Sequence, residues 1–156
     1  MNKKTYTPPK KAPSVSEALS AKNNGDLMGW IRNYLEKEGN QGLLQALSQN
    51  YADYIDIIEF PLSQLKKIDG PEEITNRQPL DVWETRVSEL ESNIGEGIYP
   101  PPLIVTDFWR PFEIVDGNHR HEALMRNGIE IYWTIFLFRN HENTKLLKEI
   151  LKNPKR

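Results

Sequence analysis

Nine consecutive residues, "DGNHRHEAL" from Asp116 to Leu124, contain two histidines, an arginine, two carboxylates and a glycine. The apolar run Phe112–Val115 before them predicts a strand, and Asn118–Arg126 predicts a helix that ends near Gly128. A strand that passes through a glycine into a helix brings backbone N–H groups and the positive end of a helix dipole to one point. This arrangement is typical of anion sites, above all phosphate sites.

Several side chains of this segment are candidates for binding or catalysis. Gly117 permits a tight turn and close approach of the backbone to a ligand, because it has no Cβ. Arg120 lies in the first helical turn, where its planar guanidinium can bind two phosphate oxygens. His119 is either a phosphate donor or general acid, or a residue without a role in the site. His121 is predicted to be a packing or surface residue, since residues two apart on a helix point about 200° apart and cannot share a metal.

Carboxylates on both sides of this helix start suggest further chemistry. Asp116 either caps the following helix or holds a Mg²⁺ ion that bridges phosphates. Upstream, "GPEEI" contains Glu72 and Glu73. In phosphoryl transfer a carboxylate orients the attacking hydroxyl and accepts its proton, and either glutamate is a candidate for that role. The alternative is that acidic residues after a proline simply begin a helical turn.

The N-terminal third is predicted to be separate from the main domain. Residues 1–22 are rich in proline and lysine and poor in large apolar residues, so we expect a flexible basic tail. Residues 23–50 predict a helical hairpin, because apolar residues at 27, 30, 31, 34 and 35 have helical spacing and Gly39 follows them. A second helix places Leu43, Leu44 and Leu47 inward. The hairpin packs either on the main domain or on a partner.

The main domain is predicted over residues 54–140, followed by a C-terminal helix and tail over 141–156. The remaining predicted strands are Ile55–Phe60, Leu103–Thr106 and Ile131–Phe138. A helix begins at Asp81, which forms a capping box with Glu84, and ends at Gly95–Gly97. The C-terminal helix directs Leu146, Leu147 and Ile150 inward. These elements give an α+β fold, a small mixed sheet with packed helices. Most aromatic residues are predicted to be core, but Trp109 lies at a hairpin tip, where it is available to a base or a partner.

Composition sets limits on function. A length of 156 residues fits one domain plus tails. With a net charge of −2 and a pI near 6.0, nucleic-acid binding is possible but not indicated by charge. The chain has no cysteine, which excludes disulfides and a thiolate nucleophile and suits a reducing compartment. No segment has the roughly 20 apolar residues of a membrane span. We expect a soluble, cytoplasmic protein without a membrane partner.

The segment "GNHRHEA" resembles the G-x-x-R-x-x-A box of the ParB/sulfiredoxin superfamily. The upstream "PPLIV" strand and the order of elements are also similar, and the resemblance extends over Ile55–Phe138. It implies a ParB/sulfiredoxin-like fold in which the box cradles a nucleotide. The implied phosphate binders are Gly117, Asn118, His119 and Arg120.

Three branches of that superfamily imply different activities. Sulfiredoxins have a cysteine at the position of Asn118, so thiol repair is excluded here. Partition proteins use the domain as a CTP-operated clamp and continue into a DNA-reading region, which we expect to be missing after Phe138. Free-serine kinases have D-G-H-H-R and an upstream acidic pair, and this chain is similar in "DGNHR" and in Glu72 with Glu73. It departs from them at Asn118, where they have histidine.

The sequence thus predicts a protein that binds ATP, ADP or CTP with Mg²⁺ and acts as a phosphotransferase or NTPase on a small-molecule phosphate acceptor. An alternative is a non-catalytic, nucleotide-gated module linked to DNA partition or to a DNA-binding partner. A weaker alternative is a nuclease. The N-terminal helices are compatible with a homodimer.

Overall fold

The computed structural model describes residues 12–50, 52–67 and 80–152. The helices in these parts of the chain are α1 Pro13–Asn23, α2 Leu27–Glu38, α3 Gln41–Gln49, α4 Leu80–Gly95, α5 Asn118–Arg126 and α6 His141–Lys152. The strands are β1 Tyr54–Pro61, β2 Leu103–Thr106, β3 Glu113–Asp116 and β4 Ile131–Phe138, and a short 3₁₀ turn, Leu62–Gln64, follows β1. The α+β fold class predicted from the sequence is confirmed.

The four strands form one mixed sheet in the order β1-β4-β2-β3. β4 pairs antiparallel with β1 and parallel with β2, and β2 pairs antiparallel with β3. The outer edge of β3 is covered, because Lys66 N donates to Phe112 O at 2.9 Å and Ile114 N donates to Lys66 O at 2.9 Å. The strand that leads into the candidate anion site is therefore fixed on both sides.

Helices cover both faces of the sheet, as the continuous apolar run of β4 predicted. Alternate residues of a strand point to opposite faces. Tyr132 and Phe136 pack in the core shared with α4, α5 and α6, whereas Ile135 and Leu137 pack in the core shared with α1, α2 and α3. The predicted helical hairpin thus packs on the main domain.

An ion-pair cluster fixes α5 against α4. Arg126 donates two hydrogen bonds to Glu84, at 2.8 and 2.9 Å, and one to Glu122 at 3.0 Å. Burial of Glu122 raises its pKa, but hydrogen bonds from Lys67 and Arg126 outweigh that effect and lower it. The predicted capping box is not formed, because α4 begins at Leu80, one residue before Asp81, and the Glu84 carboxylate binds Arg126.

The expectation of a flexible tail over residues 1–22 is wrong for Pro13 onward. Residues from Pro13 form α1, in which Val15 and Ala18 are fully buried. The prediction counted large apolar side chains, whereas the buried residues of α1 are the small Val15 and Ala18. Residues 1–11 lie outside the described parts of the chain.

The orientation of α6 also differs from the prediction. Leu147 is fully buried and Ile150 is packed against the core, but Leu146 is 47% exposed. Thr144 is the buried residue one turn before Leu147. The inward stripe therefore runs through positions 144, 147 and 150, three residues apart, and Leu146 lies outside it.

Truncation of the Val15 side chain tests whether α1 is part of the folded structure or a loose tail. Val15→Ala removes buried apolar surface, and we expect the free energy of unfolding to fall by about 2 kcal/mol. Ser16→Ala, at an exposed position on the same helix, is the matched control and should leave stability nearly unchanged. Urea denaturation of the two variants and the wild type makes the comparison, and equal midpoints for all three would mean that α1 is not part of the fold.

Candidate functional site

The candidate site is the turn between β3 and α5. β3 ends at Asp116, α5 begins at Asn118, and Gly117 between them has a φ of 110°. Such a φ strongly favours glycine. A Cβ on Gly117 would lie 2.7 Å from Leu103 Cδ2 and 2.8 Å from Arg120 Nη2, so close packing also requires glycine here. The strand–glycine–helix unit predicted from the sequence is present.

Arg120 does not present a free guanidinium at this turn. Its side chain is only 12% exposed and lies beneath Gly117. Nη2 donates to Asp116 Oδ2 at 2.7 Å and to Pro102 O at 3.2 Å, and Nη1 donates to the hydroxyl of Tyr34. Burial alone lowers the pKa of Arg120, but Asp116 and Tyr34 raise it, and the net direction is upward. The expectation of an open fork ready for two phosphate oxygens therefore differs from the structure.

Asp116 is held by hydrogen bonds to both of its oxygens. Oδ1 accepts from Asn40 Nδ2 at 2.9 Å, and Oδ2 accepts from Arg120. The predicted capping role is not observed, because Gly117 is the N-cap of α5 and the Asp116 carboxylate accepts from Asn40 and Arg120 instead. Asp116 points instead toward the N-terminal helices, which offer a hydrogen-bond donor.

The two histidines have different surroundings, as their spacing predicted. His121 is buried, and its Nε2 lies 2.8 Å from Leu62 O, so it is a packing residue. His119 is partly buried, with its ring centroid 4.4 Å from that of Trp83. Asn118 is buried and donates from Nδ2 to Ile114 O at 3.3 Å, which ties the start of α5 back to β3. His119 thus combines partial exposure with an aromatic contact.

The sequence also predicted two catalytic glutamates, a metal ion and an exposed tryptophan. Glu72 and Glu73 lie outside the described residues. Among the described residues, no group of three or more His, Asp or Glu side chains is arranged to hold a metal ion. Trp109 is 62% exposed beside the buried Phe108, as expected for a hairpin tip. None of the described helices is long and apolar enough to cross a membrane.

Two residues of the site, Tyr34 and Asn40, were not singled out from the sequence. Tyr34 belongs to the apolar stripe of α2, where it stacks on Trp30 with ring centroids 5.1 Å apart. Burial raises the pKa of its hydroxyl to about 12. A buried tyrosine hydroxyl needs a partner, and an asparagine directly before a helix is a capping signal. These signals identify hydrogen-bonding residues but not the carboxylate or guanidinium that they bind.

Fold and site together define a three-layered α+β protein whose sheet leads through a left-handed glycine into a helix.

No protein-family model and no curated protein matches the chain. Among solved structures, it is similar to a Pnob8-like ParB-N domain, with 16% identity and a TM-score of 0.40. It is similar to sulfiredoxin from Arabidopsis thaliana, with 23% identity and a TM-score of 0.39. A third similar structure is C-terminally truncated chromosome-partitioning protein ParB from Caulobacter crescentus complexed with CTP-gamma-S, with 19% identity and a TM-score of 0.34.

These similarities extend over about two thirds of the chain. The matches cover 66%, 65% and 65% of this chain, in the same order, and 39%, 98% and 54% of the other chains. The chain thus spans well under two thirds of the length of the two ParB structures and nearly all of the sulfiredoxin. At these identities the likeness concerns the fold alone.

Substitution of Gly117 tests the geometry of the turn. Gly117→Ala introduces a strained left-handed alanine and a contact of 2.7 Å with Leu103, so we expect a loss of more than about 2 kcal/mol in the free energy of unfolding. Gly42→Ala in α3 is the matched control. No described atom lies within 4 Å of its Cβ, and helix propensity should make it neutral or stabilising by up to about 1 kcal/mol. Chemical denaturation measures both, and equal effects would contradict the geometry described for Gly117.

Proposed function

We propose that this protein binds the phosphate groups of a nucleoside di- or triphosphate at the turn between β3 and α5. The main observation in support is the conformation of Gly117, which lies between β3 and the N-terminus of α5. Its backbone is left-handed, and its surroundings leave no room for a Cβ. Helix starts of this kind present backbone N–H groups and a positive dipole to an anion. ATP, ADP and CTP are the candidate nucleotides.

Each residue of the turn has a proposed role. Gly117 allows the backbone to approach the phosphates, and the first-turn N–H groups of α5 donate to them. His119 would donate from its imidazole, and its contact with Trp83 limits the ring's freedom. Arg120 contributes from beneath the turn, where it holds Gly117 and Asp116 in place.

Mg²⁺ is the proposed companion ion, since it neutralises phosphate charge in nucleotide sites of many kinds. A carboxylate offers about four acceptor positions, of which Asp116 uses two in the described hydrogen bonds. Asp116 therefore retains capacity to accept a hydrogen bond from a water of the ion's hydration shell. Its proposed part is to hold that shell, which suits an ion that keeps several waters.

The catalytic version of the proposal is transfer of a phosphoryl group to a small-molecule acceptor, or to water in an NTPase. Either Glu72 or Glu73 would orient the attacking hydroxyl and accept its proton, and His119 would donate to the phosphoryl oxygens. The sequence resemblance in "DGNHR" and "GPEEI" to free-serine kinases supports this version.

A non-catalytic version is a nucleotide-gated module that acts with a DNA-partition or DNA-binding partner. It is favoured by the direct hydrogen bonds between the turn and the N-terminal helices, from Asn40 to Asp116 and from Arg120 to Tyr34. Binding of a nucleotide at the turn would therefore affect α2 and α3 through these bonds. The weaker nuclease alternative has no described metal-binding cluster in its favour, and retention of intact plasmid with Mg²⁺ or Mn²⁺ would count against it.

The first experiment is a thermal-shift assay with ATP, ADP, CTP and GTP in the presence of Mg²⁺. A ligand at 100 times its dissociation constant adds about 2.7 kcal/mol to stability, which raises the melting temperature measurably. We expect at least one nucleotide to stabilise the wild type. His119→Glu should abolish this shift, because a carboxylate at the start of α5 repels phosphate while remaining compatible with the helix dipole.

The matched control is His141→Glu, the same substitution at the exposed first residue of α6. It should leave nucleotide binding unchanged. A nucleotide shift that persists in His119→Glu would place the anion elsewhere, and the absence of any shift in the wild type would overturn the proposed function.

Product analysis separates the catalytic version from the gated module. With a binding nucleotide, Mg²⁺ and a panel of small hydroxyl compounds, a phosphotransferase produces the nucleotide shortened by one phosphate and a new phosphorylated compound, whereas a gate binds without forming one. We expect Glu73→Gln together with Glu72→Gln to lower turnover at least 100-fold, the usual contribution of a general base, without loss of nucleotide binding. Absence of turnover under all acceptor conditions would favour the gated module.

A further inference from the structure

The Asp116–Arg120 pair is held by two residues that are distant in sequence. Asn40 Nδ2 donates to Asp116 Oδ1 at 2.9 Å across a separation of 76 residues. The Tyr34 hydroxyl accepts from Arg120 Nη1 across a separation of 86 residues. One oxygen of the carboxylate and one terminal nitrogen of the guanidinium are therefore bonded to the N-terminal helices.

Both contacting side chains are themselves fixed. Asn40 is the N-cap of α3, where its Oδ1 accepts from Leu43 N at 3.2 Å while its Nδ2 reaches Asp116. Tyr34 is buried and stacked nearly parallel on Trp30, with an interplanar angle of 6°. Each group has little freedom to turn away, so each determines where its partner lies.

The position of the guanidinium in turn determines the shape of the turn. Nη2 and Nε of Arg120 lie 2.8 and 2.9 Å from the point that a Cβ of Gly117 would occupy. Gly117 is the N-cap of α5, so its position sets the direction in which the first-turn N–H groups point. A displacement of Arg120 is therefore transmitted to the backbone that the proposed phosphate would contact.

Direct contact between Arg120 and a phosphate would need a different arrangement. Nε has no hydrogen-bond partner among the described residues, but to give its terminal nitrogens to a phosphate the guanidinium would have to leave Asp116, Tyr34 and Pro102 O, which would strand a carboxylate that is 15% exposed. Breaking a largely buried pair by removing one partner is strongly unfavourable. A holding role fits the observed contacts without that cost.

We propose that Tyr34 and Asn40 are positioning residues of the phosphate-binding turn, acting through Arg120 and Asp116. Two distant parts of the chain then build the site, and the N-terminal helices are a component of it. The consequence for ligand affinity rests on the proposed function, whereas the consequence for the shape of the turn does not.

The test compares Tyr34→Phe and Asn40→Asp with a matched control. Tyr34→Phe removes one hydroxyl and keeps the ring that stacks on Trp30. Asn40→Asp keeps an oxygen that caps α3, because aspartate and asparagine are equally good caps, but it replaces the donor to Asp116 by a carboxylate. Tyr54→Phe is the control, since the Tyr54 hydroxyl also donates to a carboxylate, Asp56 Oδ2 at 3.3 Å, on β1.

Two readouts are made on each protein. The first is the set of backbone amide resonances of Gly117, Asn118 and His119 in ¹⁵N-labelled protein, together with the side-chain Nε–H resonance of Arg120. The second is the dissociation constant for pyrophosphate and for the nucleotide that stabilises the wild type. We expect both site variants to shift these resonances and Tyr34→Phe to weaken binding roughly 3- to 10-fold, the equivalent of one hydrogen bond. Tyr54→Phe should do neither.

The outcomes distinguish this inference from the proposed function. If the wild type binds neither pyrophosphate nor any nucleotide, the proposed function fails, and the resonances still decide whether Tyr34 and Asn40 shape the turn. Unchanged resonances in both site variants would overturn the positioning role. Shifted resonances with unchanged affinity would also overturn it, because the network would then have no bearing on the ligand.

Discussion

A buried cation beneath a glycine is the constraint on which the candidate site depends. Arg120 is an arginine, so it keeps its charge, and burying a charge is costly unless it is paired and hydrogen-bonded. The chain pairs Arg120 with Asp116 at the end of β3 and also bonds its terminal nitrogens to Pro102 O just before β2 and to Tyr34 on α2, while Nε has no hydrogen-bond partner in the described parts of the chain. These partners lie in three different parts of the chain, so bonding one side chain fixes the relative positions of all three.

The layers of the fold follow from the same demand. Without α2 and α3, one oxygen of Asp116 and one terminal nitrogen of Arg120 would face water at the edge of an uncovered sheet. The apolar residues Ile104, Ile135 and Leu137 on that sheet face would also be exposed. The N-terminal helices cover apolar surface and supply two polar groups at once. Their packing and their hydrogen bonds therefore support each other, which is why they are not an independent appendage.

Much of the secondary structure was predictable because it depends on residues that are close together in the sequence. The predicted bounds Leu103–Thr106, Asn118–Arg126 and Ile131–Phe138 match β2, α5 and β4. Each is an apolar run or a helical segment bounded by glycine, proline or a charged turn. β3 was predicted one residue early, and α1 was missed because its buried side chains are small.

The elements of the candidate turn were predictable from the sequence, but the orientation of its side chains was not. The type and spacing of "DGNHR" predicted a strand, a tight turn and a helix start, and they predicted that the two histidines would point apart. The direction of Arg120 depends on Tyr34, 86 residues earlier, and no local pattern carries that information. The bond from Asn40 to Asp116 was equally unpredictable, because only the capping role of Asn40 depends on neighbouring residues in the sequence. Sequence spacing therefore predicted which residues form the turn, whereas tertiary contacts determine how their side chains are oriented.

The pairing of Arg120 with Asp116 also determines the electrostatics that a phosphate would meet. The two opposite charges lie 2.7 Å apart and largely cancel at a distance. What remains at the turn is the positive end of α5, equivalent to roughly half an elementary charge. A di- or triphosphate has several negative charges, so this turn alone neutralises only part of them. In the proposed function, a divalent cation is therefore the physically consistent companion of a phosphate at this turn.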